Sequence, residues 1–287
     1  MAAPFPLPGW LLGVYCLGYY ALADLAINVG YHRVLSHRSA KLATWLERLA
    51  ITLGLPAGTP IQWAGNHRFH HGHTDEPEDP HSPNRGGFWH AHVGWYLQND
   101  HPVLCFLYSL AGPLRTLFDG WHRPRTNQTF NHLAPDVAAD PYYRFLSRPW
   151  PFQLACTLHT LLFFGAAYLG WGVTGVGALW LTLVAVYNLG DAIDSMAHLV
   201  GTQPFASAHR ARNHWFLGYL TWGEGWHANH HEFPGSARHG LLPNQPDPTY
   251  RLLRAFEALG WASELKLPDP AQIERHLARV PEVDHGQ

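Results

Sequence analysis

The chain has 287 residues, and only 14% of them are charged, against about a quarter in ordinary soluble proteins. The formal net charge of −2 offers no basic excess, which argues against a nucleic-acid partner. The three cysteines, Cys16, Cys105 and Cys156, lie in apolar stretches without a CxxC, which argues against a disulfide framework or zinc ribbon.

Thirteen Trp, 22 His and 23 Pro accompany long apolar runs, so the mean hydropathy stays slightly negative. This mixture suits a membrane protein carrying a large polar, histidine-rich cap. No Lys or Arg precedes Arg33, so a signal peptide's basic start is missing. Residues 9–28 read instead as a transmembrane helix with one charge, Asp24; twenty residues rise about 30 Å, one bilayer core. Residues 42–64 are apolar but interrupted by Gly54, Pro56, Gly58 and Pro60, which break a helix. They predict an embedded or interfacial segment that delivers Trp63 and then His67. Residues 73–101 are polar, lack apolar periodicity and predict a loop region over the site. Residues 103–118, interrupted at Gly112-Pro113, predict a short interfacial piece, and residues 119–149 are polar.

Residues 151–169 and 173–193 predict a tight hairpin of two transmembrane helices turning at Gly170-Trp171-Gly172. The second arm runs into Asp194 and His198, four apart and so on one helical face. Ionisable groups at the end of a membrane helix normally face a functional interior. Residues 248–261 predict a short amphipathic helix, with a surface tail containing a helical turn or two behind it. All nineteen Lys and Arg lie in 33–148 or beyond 209. The positive-inside rule then puts residues 29–150 and 199–287 on the cytoplasmic side as one cytosolic and interfacial cap. The expected fold is an all-α integral membrane protein, a single domain over 1–287 with about three transmembrane helices plus interfacial helices.

The histidines carry the chemistry. His67, His70 and His71 stand at i, i+3 and i+4, and so do His227, His230 and His231; on a helix each set projects from one face. His32 and His37 form a third group, and His198 reaches in from the membrane hairpin. Nine imidazoles exceed the four of a tetrahedral zinc site and suit two metal ions with four or five nitrogen ligands each. His73, His81, His90 and His92 are candidates for outer hydrogen-bond partners or plain surface residues, and His209 and His214 are equally open.

His-x4-His, His-x2-His-His and His-x2-His-His resemble the three histidine boxes of the membrane fatty-acid desaturases, closest to the stearoyl-CoA (delta-9) branch. The resemblance runs through Asn66-His67, Asp79-Pro80-His81, His92-Val93-Gly94-Trp95, Asp194-Ser195 and Gly223-Glu224-Gly225-Trp226, from residue 28 to about 235. It implies two non-haem iron ions held by nine histidines and O₂-dependent removal of two hydrogens from an acyl chain in a kinked tunnel. Electrons would come from NAD(P)H through a reductase and a cytochrome b5 or ferredoxin-type carrier. The setting would be a bacterial inner membrane with the site on its cytoplasmic side.

Three features depart from the pattern. Asp194 replaces an Asn that holds a water on one iron, which makes it a catalytic candidate. Gly65-Asn66 replaces an Arg-Asp pair that meets the CoA head, so acyl-CoA, acyl carrier protein and lipid-bound chains all stay open. Three spans are counted where four are usual. Cys16 and Tyr20, together with Trp63 and Asn66, are expected to bind the acyl chain, with the bulky Tyr20 setting its length. A hydroxylase, ketolase or acetylenase on the same centre, and a histidine-rich metal transporter, are the alternative readings.

Overall fold

The computed structural model describes residues 2–122 and 127–277. Part of the polar 119–149 segment (123–126) and the end of the tail (278–287) lie outside the described residues.

The regular structure of the described residues is helical apart from one two-residue ladder, Lys41–Leu42 antiparallel to Ala262–Ser263, and the isolated bridges Thr202–Asn213 and Asn213–Trp226. Helix α1, Gly9–Asp24, continues without a break as a π-helix over Leu25–Ser36 and ends at His37, before the left-handed Arg38. The Gly and Pro residues of 42–64 divide that stretch into α2 (Thr44–Leu53), a single 3₁₀ turn at Leu55–Ala57, and α3 (Pro60–Gly72). The start of α3 follows from its sequence. Thr59 caps it by accepting from the Gln62 amide at 3.4 Å, and Pro60 fills the first helical position, where its missing N–H costs nothing.

The segment expected to be a loop over 73–101 is partly helical. Ser82 accepts from the Asn84 amide and Pro83 opens α4, Pro83–Trp89, followed by a π-turn at His90–Gly94. Apolar periodicity missed it because its buried positions are largely polar: His81, Ser82, His90 and His92 are all buried. His92 is satisfied there by Ser195 Oγ at 3.0 Å and by donating from Nε2 to Asn188 Oδ1 at 3.1 Å. The stretch around 103–118 forms α5 (Pro102–Ser109) and α6 (Pro113–His122), separated at Gly112, whose φ of +52° suits glycine.

Helix α7, Pro149–Leu199, contains the hairpin, broken at Gly172 (φ 59°, ψ −145°). Phe163, Phe164 and Ala167 of the first arm pack against Leu179, Leu183 and Tyr187 of the second, the antiparallel pattern of a hairpin, with Tyr15 and Tyr19 of α1 closing the cluster. The N-terminal segment clasps the tip: the Phe5 and Leu7 amides donate to the carbonyls of Leu169 and Gly170. The expected amphipathic helix near the C-terminus is α9, Pro248–Ala258, following the short α8, His227–Glu232, which carries the last histidine box. Leu253 and Phe256 of α9 share a core with Val29, Val34 and Leu46. Helix α9 thereby fixes the lower end of α1 against the cap.

Among the described residues two helices are long and apolar enough to cross a membrane, Gly9–Ser36 and Pro149–Leu199, and only 17% and 28% of their most apolar windows are buried. A core helix of a soluble protein would be mostly buried. Leu17, Leu162 and Leu181 instead present about two-thirds or more of their surface outward. Val103, Phe106, Leu107, Leu114 and Phe118 of α5 and α6 are exposed as well. Long apolar helices with this much outward-facing apolar surface suit a lipid environment, and the protein associates with a membrane.

Candidate metal centre

Four elements meet at one place. The π-wound end of α1 supplies His32 and His37, α3 supplies His67, His70 and His71, the end of α7 supplies His198, and α8 supplies His227, His230 and His231. Their ring nitrogens gather into two groups, five from His32, His37, His67, His71 and His230, and four from His70, His198, His227 and His231. The two tripled boxes interlock. In each, the i and i+4 histidines serve one group and the i+3 histidine crosses to the other. Neither box can form a group without its partner.

The inward atoms are Nε2 throughout. His37 and His67 approach to 2.7 Å, His71 and His230 to 2.8 Å, His32 and His230 to 3.0 Å. In the second group His198–His227 and His227–His231 are each 3.0 Å apart and His70–His231 is 3.3 Å. Ligand nitrogens about 2.0–2.1 Å from a shared cation lie about 3 Å apart, so the spacing fits bound metal.

The outward nitrogens explain which tautomer faces in. Nδ1 of His32 donates to Glu224 Oε2 at 2.6 Å, that of His70 to Asp79 at 2.9 Å, and that of His198 to Asp75 Oδ2 at 3.2 Å. A carboxylate on Nδ1–H leaves Nε2 with its lone pair and makes it a better metal donor. Burial, and after it the neighbouring imidazoles, push His37, His67, His70, His71, His227, His230 and His231 well below the usual imidazole range. The result is two sets of imidazoles, seven of them held neutral, whose Nε2 atoms face one another. Such donor sets are repulsive alone and complementary to a cation.

Sequence reasoning gave the carboxylates no role, although Asp79 and Glu224 lie in stretches that carry the family resemblance. Glu224 is the hub: it receives His32 on one oxygen and Arg33 Nη2 on the other at 3.0 Å, with His239 Nδ1 3.2 Å away. Arg33 is fully buried and also holds Asp247 at 3.0 Å and the Ala237 carbonyl at 2.7 Å. Burial alone would raise the Glu224 carboxyl, but His239, His32 and Arg33 outweigh it and hold the group well below the usual range. Asp75 is lowered likewise against its burial, by the His198 hydrogen bond and the Arg210 amide. The signal available in sequence was position: Asp75, Asp79 and Glu224 each lie within a few residues of a box. Of the histidines left open, His81 stacks on His70 at 4.1 Å between ring centroids, and burial lowers it to about 4.

Beside the histidines lies a cavity of about 190 Å³. Trp63 and Asn66 line it as expected, with Trp63 stacked on His67 at 5.0 Å. Asp194 lines it too, half-buried, but it belongs to neither histidine group; its Oδ1 lies 4.0 Å from His81 Nδ1. Cys16 and Tyr20 are not among the residues lining this cavity or the smaller apolar gap of about 20 Å³ that adjoins it. Tyr19 lines the gap, while the Tyr20 hydroxyl donates to the Leu220 carbonyl. The physical reason is winding. Counting back from His32 at the α-helical angle misjudges the facing side, because Leu25–Ser36 turns through a smaller angle per residue.

The sequence matches the family model described as fatty acid desaturase over residues 8–258. It is 34% identical to the sn-1 stearoyl-lipid 9-desaturase of Anabaena variabilis over 91% of this chain and 86% of that protein. It is 36% identical to delta-9 acyl-lipid desaturase 2 of Arabidopsis thaliana, over 96% and 81% of the two chains. It is 33% identical to the acyl-CoA C20 Delta5-desaturase of Anemone leveillei, over 88% and 73%.

Proposed function

This chain belongs to the fatty acid desaturase family and is an acyl desaturase, and on that premise we propose that it places a double bond in acyl chains esterified to membrane lipids, at two non-haem iron ions. The observation that supports this most is the interlocked five-plus-four arrangement of imidazoles beside a cavity. His32, His37, His67, His71 and His230 would hold one iron, and His70, His198, His227 and His231 the other. With O₂ and external electrons, such a centre supplies an oxidant strong enough for an unactivated C–H bond.

The chain's own residues do the rest. Glu224, Asp79 and Asp75 fix the tautomer and orientation of three ligands. Trp63, Ile27 and Val186 give the cavity apolar walls that exclude water and align the chain beside the histidines. Asp194 keeps a carboxyl group on that wall four residues from His198, where it would position a water or proton near the four-histidine group.

A lipid ester is favoured as the carrier over acyl-CoA. Gly65 stands where the CoA-dependent branch has its Arg, and it packs against Phe130 so closely that a Cβ would sit 2.8 Å from Phe130 Cβ. A long cationic side chain has no room there. Two of the relatives above are named as lipid desaturases, although the third is named for acyl-CoA. Electrons would arrive from NAD(P)H through a reductase and a cytochrome b5 or ferredoxin-type carrier at the cytoplasmic face of a bacterial inner membrane.

Expression in a host without such an enzyme, followed by mass spectrometry of its lipids, tests this reading. New mono-unsaturated chains within intact glycerolipids, absent from a His230→Ala control, are expected. Products one oxygen heavier, or none that depend on His230, would refute it.

A further inference from the structure

One charged cluster on the cavity wall is not used by the metal centre. Arg115 of α6 is buried, and its guanidinium lies over the rings of Tyr187 at 4.5 Å, Tyr108 at 5.0 Å and Tyr96 at 5.5 Å. Nη2 donates to Asp191 Oδ2 at 2.9 Å and to the Tyr96 hydroxyl. Nη1 is equally buried and has no hydrogen-bond partner. Arg115, Tyr96, Tyr187 and Asp191 all line the same cavity as His32, His67, His70 and Asp194. A planar guanidinium held on three rings and one carboxylate cannot turn Nη1 elsewhere, so its N–H is a fixed, unmet donor on a residue that lines the cavity.

We propose that Arg115 forms a carbonyl-binding subsite: Nη1 donates a hydrogen bond to the neutral carbonyl oxygen of the bound acyl ester and registers the chain against the histidines. The inference rests on the desaturase reading and adds the residue that sets where along the chain the reaction falls. Asp191 already neutralises Arg115, so the pair is balanced without a charged ligand. A carbonyl oxygen accepts one hydrogen bond from Nη1 and brings no charge to that pair. The cavity continues along Ile27, Pro56, Ala57 and Val186 into the apolar gap bounded by Leu22, Ala23, Ala26 and Leu183, which suits the hydrocarbon and not the ester. An oxygen fixed at Arg115 makes the double-bond position a count from the carbonyl, with the gap taking up differences in chain length.

The test compares the wild-type enzyme on sixteen- and eighteen-carbon acyl lipids with an Arg115→Met/Asp191→Asn double variant, which avoids an unpaired buried charge. Wild type should give one positional isomer, counted from the carbonyl and the same for both lengths. The double variant should give a mixture of neighbouring isomers and a KM about tenfold higher, as for one lost hydrogen bond, with unchanged iron per chain. A merely structural role would lower yield and kcat without mixing the isomers. If the double variant does not accumulate, Arg115→Lys, which keeps the charge pair but loses the second guanidinium nitrogen, should show the same mixing. A single unchanged isomer and KM in an active variant, or a wild-type position counted from the methyl end, overturns the subsite alone. A wild type that makes no unsaturated lipid overturns the subsite together with the desaturase reading.

Discussion

Glu224 shows how much of the site depends on residues that bind no metal. Its two oxygens hold His32 and Arg33, so it ties the first histidine group to the last. Replacing Glu224 by Gln keeps the shape but puts an amide where two donors need acceptors. Outer partners of metal ligands typically matter by about 10–100-fold in affinity or activity, and a loss of that size is expected in turnover and iron retention, measured on purified protein. Asp194→Asn should keep full iron content, because Asp194 joins neither histidine group, yet change kcat or product ratio; identical kinetics and products would remove it from the reaction. At this scale six of the nine histidines stood out as candidate ligands because i, i+3, i+4 spacing puts them on one face of an α-helix, whereas His32, His37 and His198 lack that spacing. The carboxylate partners did not stand out, since Glu224 lies 192 residues from His32 and Asp75 lies 123 from His198. Only the fold brings them together.

Between residues and the whole, elements decide orientation. The π-wound end of α1 is the clearest case, since it turns Tyr19 rather than Tyr20 toward the apolar gap. Composition cannot distinguish π from α winding, so the existence of the helix was legible and its facing side was not. Gly172 turns the hairpin at φ 59° and ψ −145°, a region open essentially to glycine alone. Gly172→Ala should cost on the order of 1–3 kcal/mol and lower the melting temperature while iron per folded chain stays the same. Helix α3 is held to the end of α1 by Arg68, which donates to Asp136 at 2.6 Å and to the carbonyls of Leu35 and Ser36. Burial alone would raise the Asp136 carboxyl, but hydrogen bonds from Arg68 and Arg38 outweigh it and hold the group below the usual range. A carboxyl lowered in the folded state stabilises above its unfolded value of about 4, and that contribution fades as pH falls through the folded value. Asp136→Asn should therefore lower stability at neutral pH and flatten the acid limb of a melting-temperature profile; an unchanged limb would assign that slope to other groups.

For the whole molecule, the apolar helices and the histidine site at their ends agree with the sequence positions of the nineteen basic residues, none of which falls within 9–28 or 151–193. The long apolar runs and the Gly-Trp-Gly turn were readable because membrane helices announce themselves by composition. The cap was less readable because its interior is polar, and α4 hid in a segment without periodicity. The account requires that residues 29–150 and 199–287 share one side, so reporter fusions at Gly87 and Gly260 should give the same sidedness signal. Its central claim is that nine histidines from four elements form two metal sites rather than one. Metal content per chain of the purified protein tests that most directly. The account predicts two irons per chain, with loss of iron on His37→Ala from the five-histidine group and on His198→Ala from the four-histidine group. A single metal ion per chain, or iron unaffected by either substitution, would contradict it.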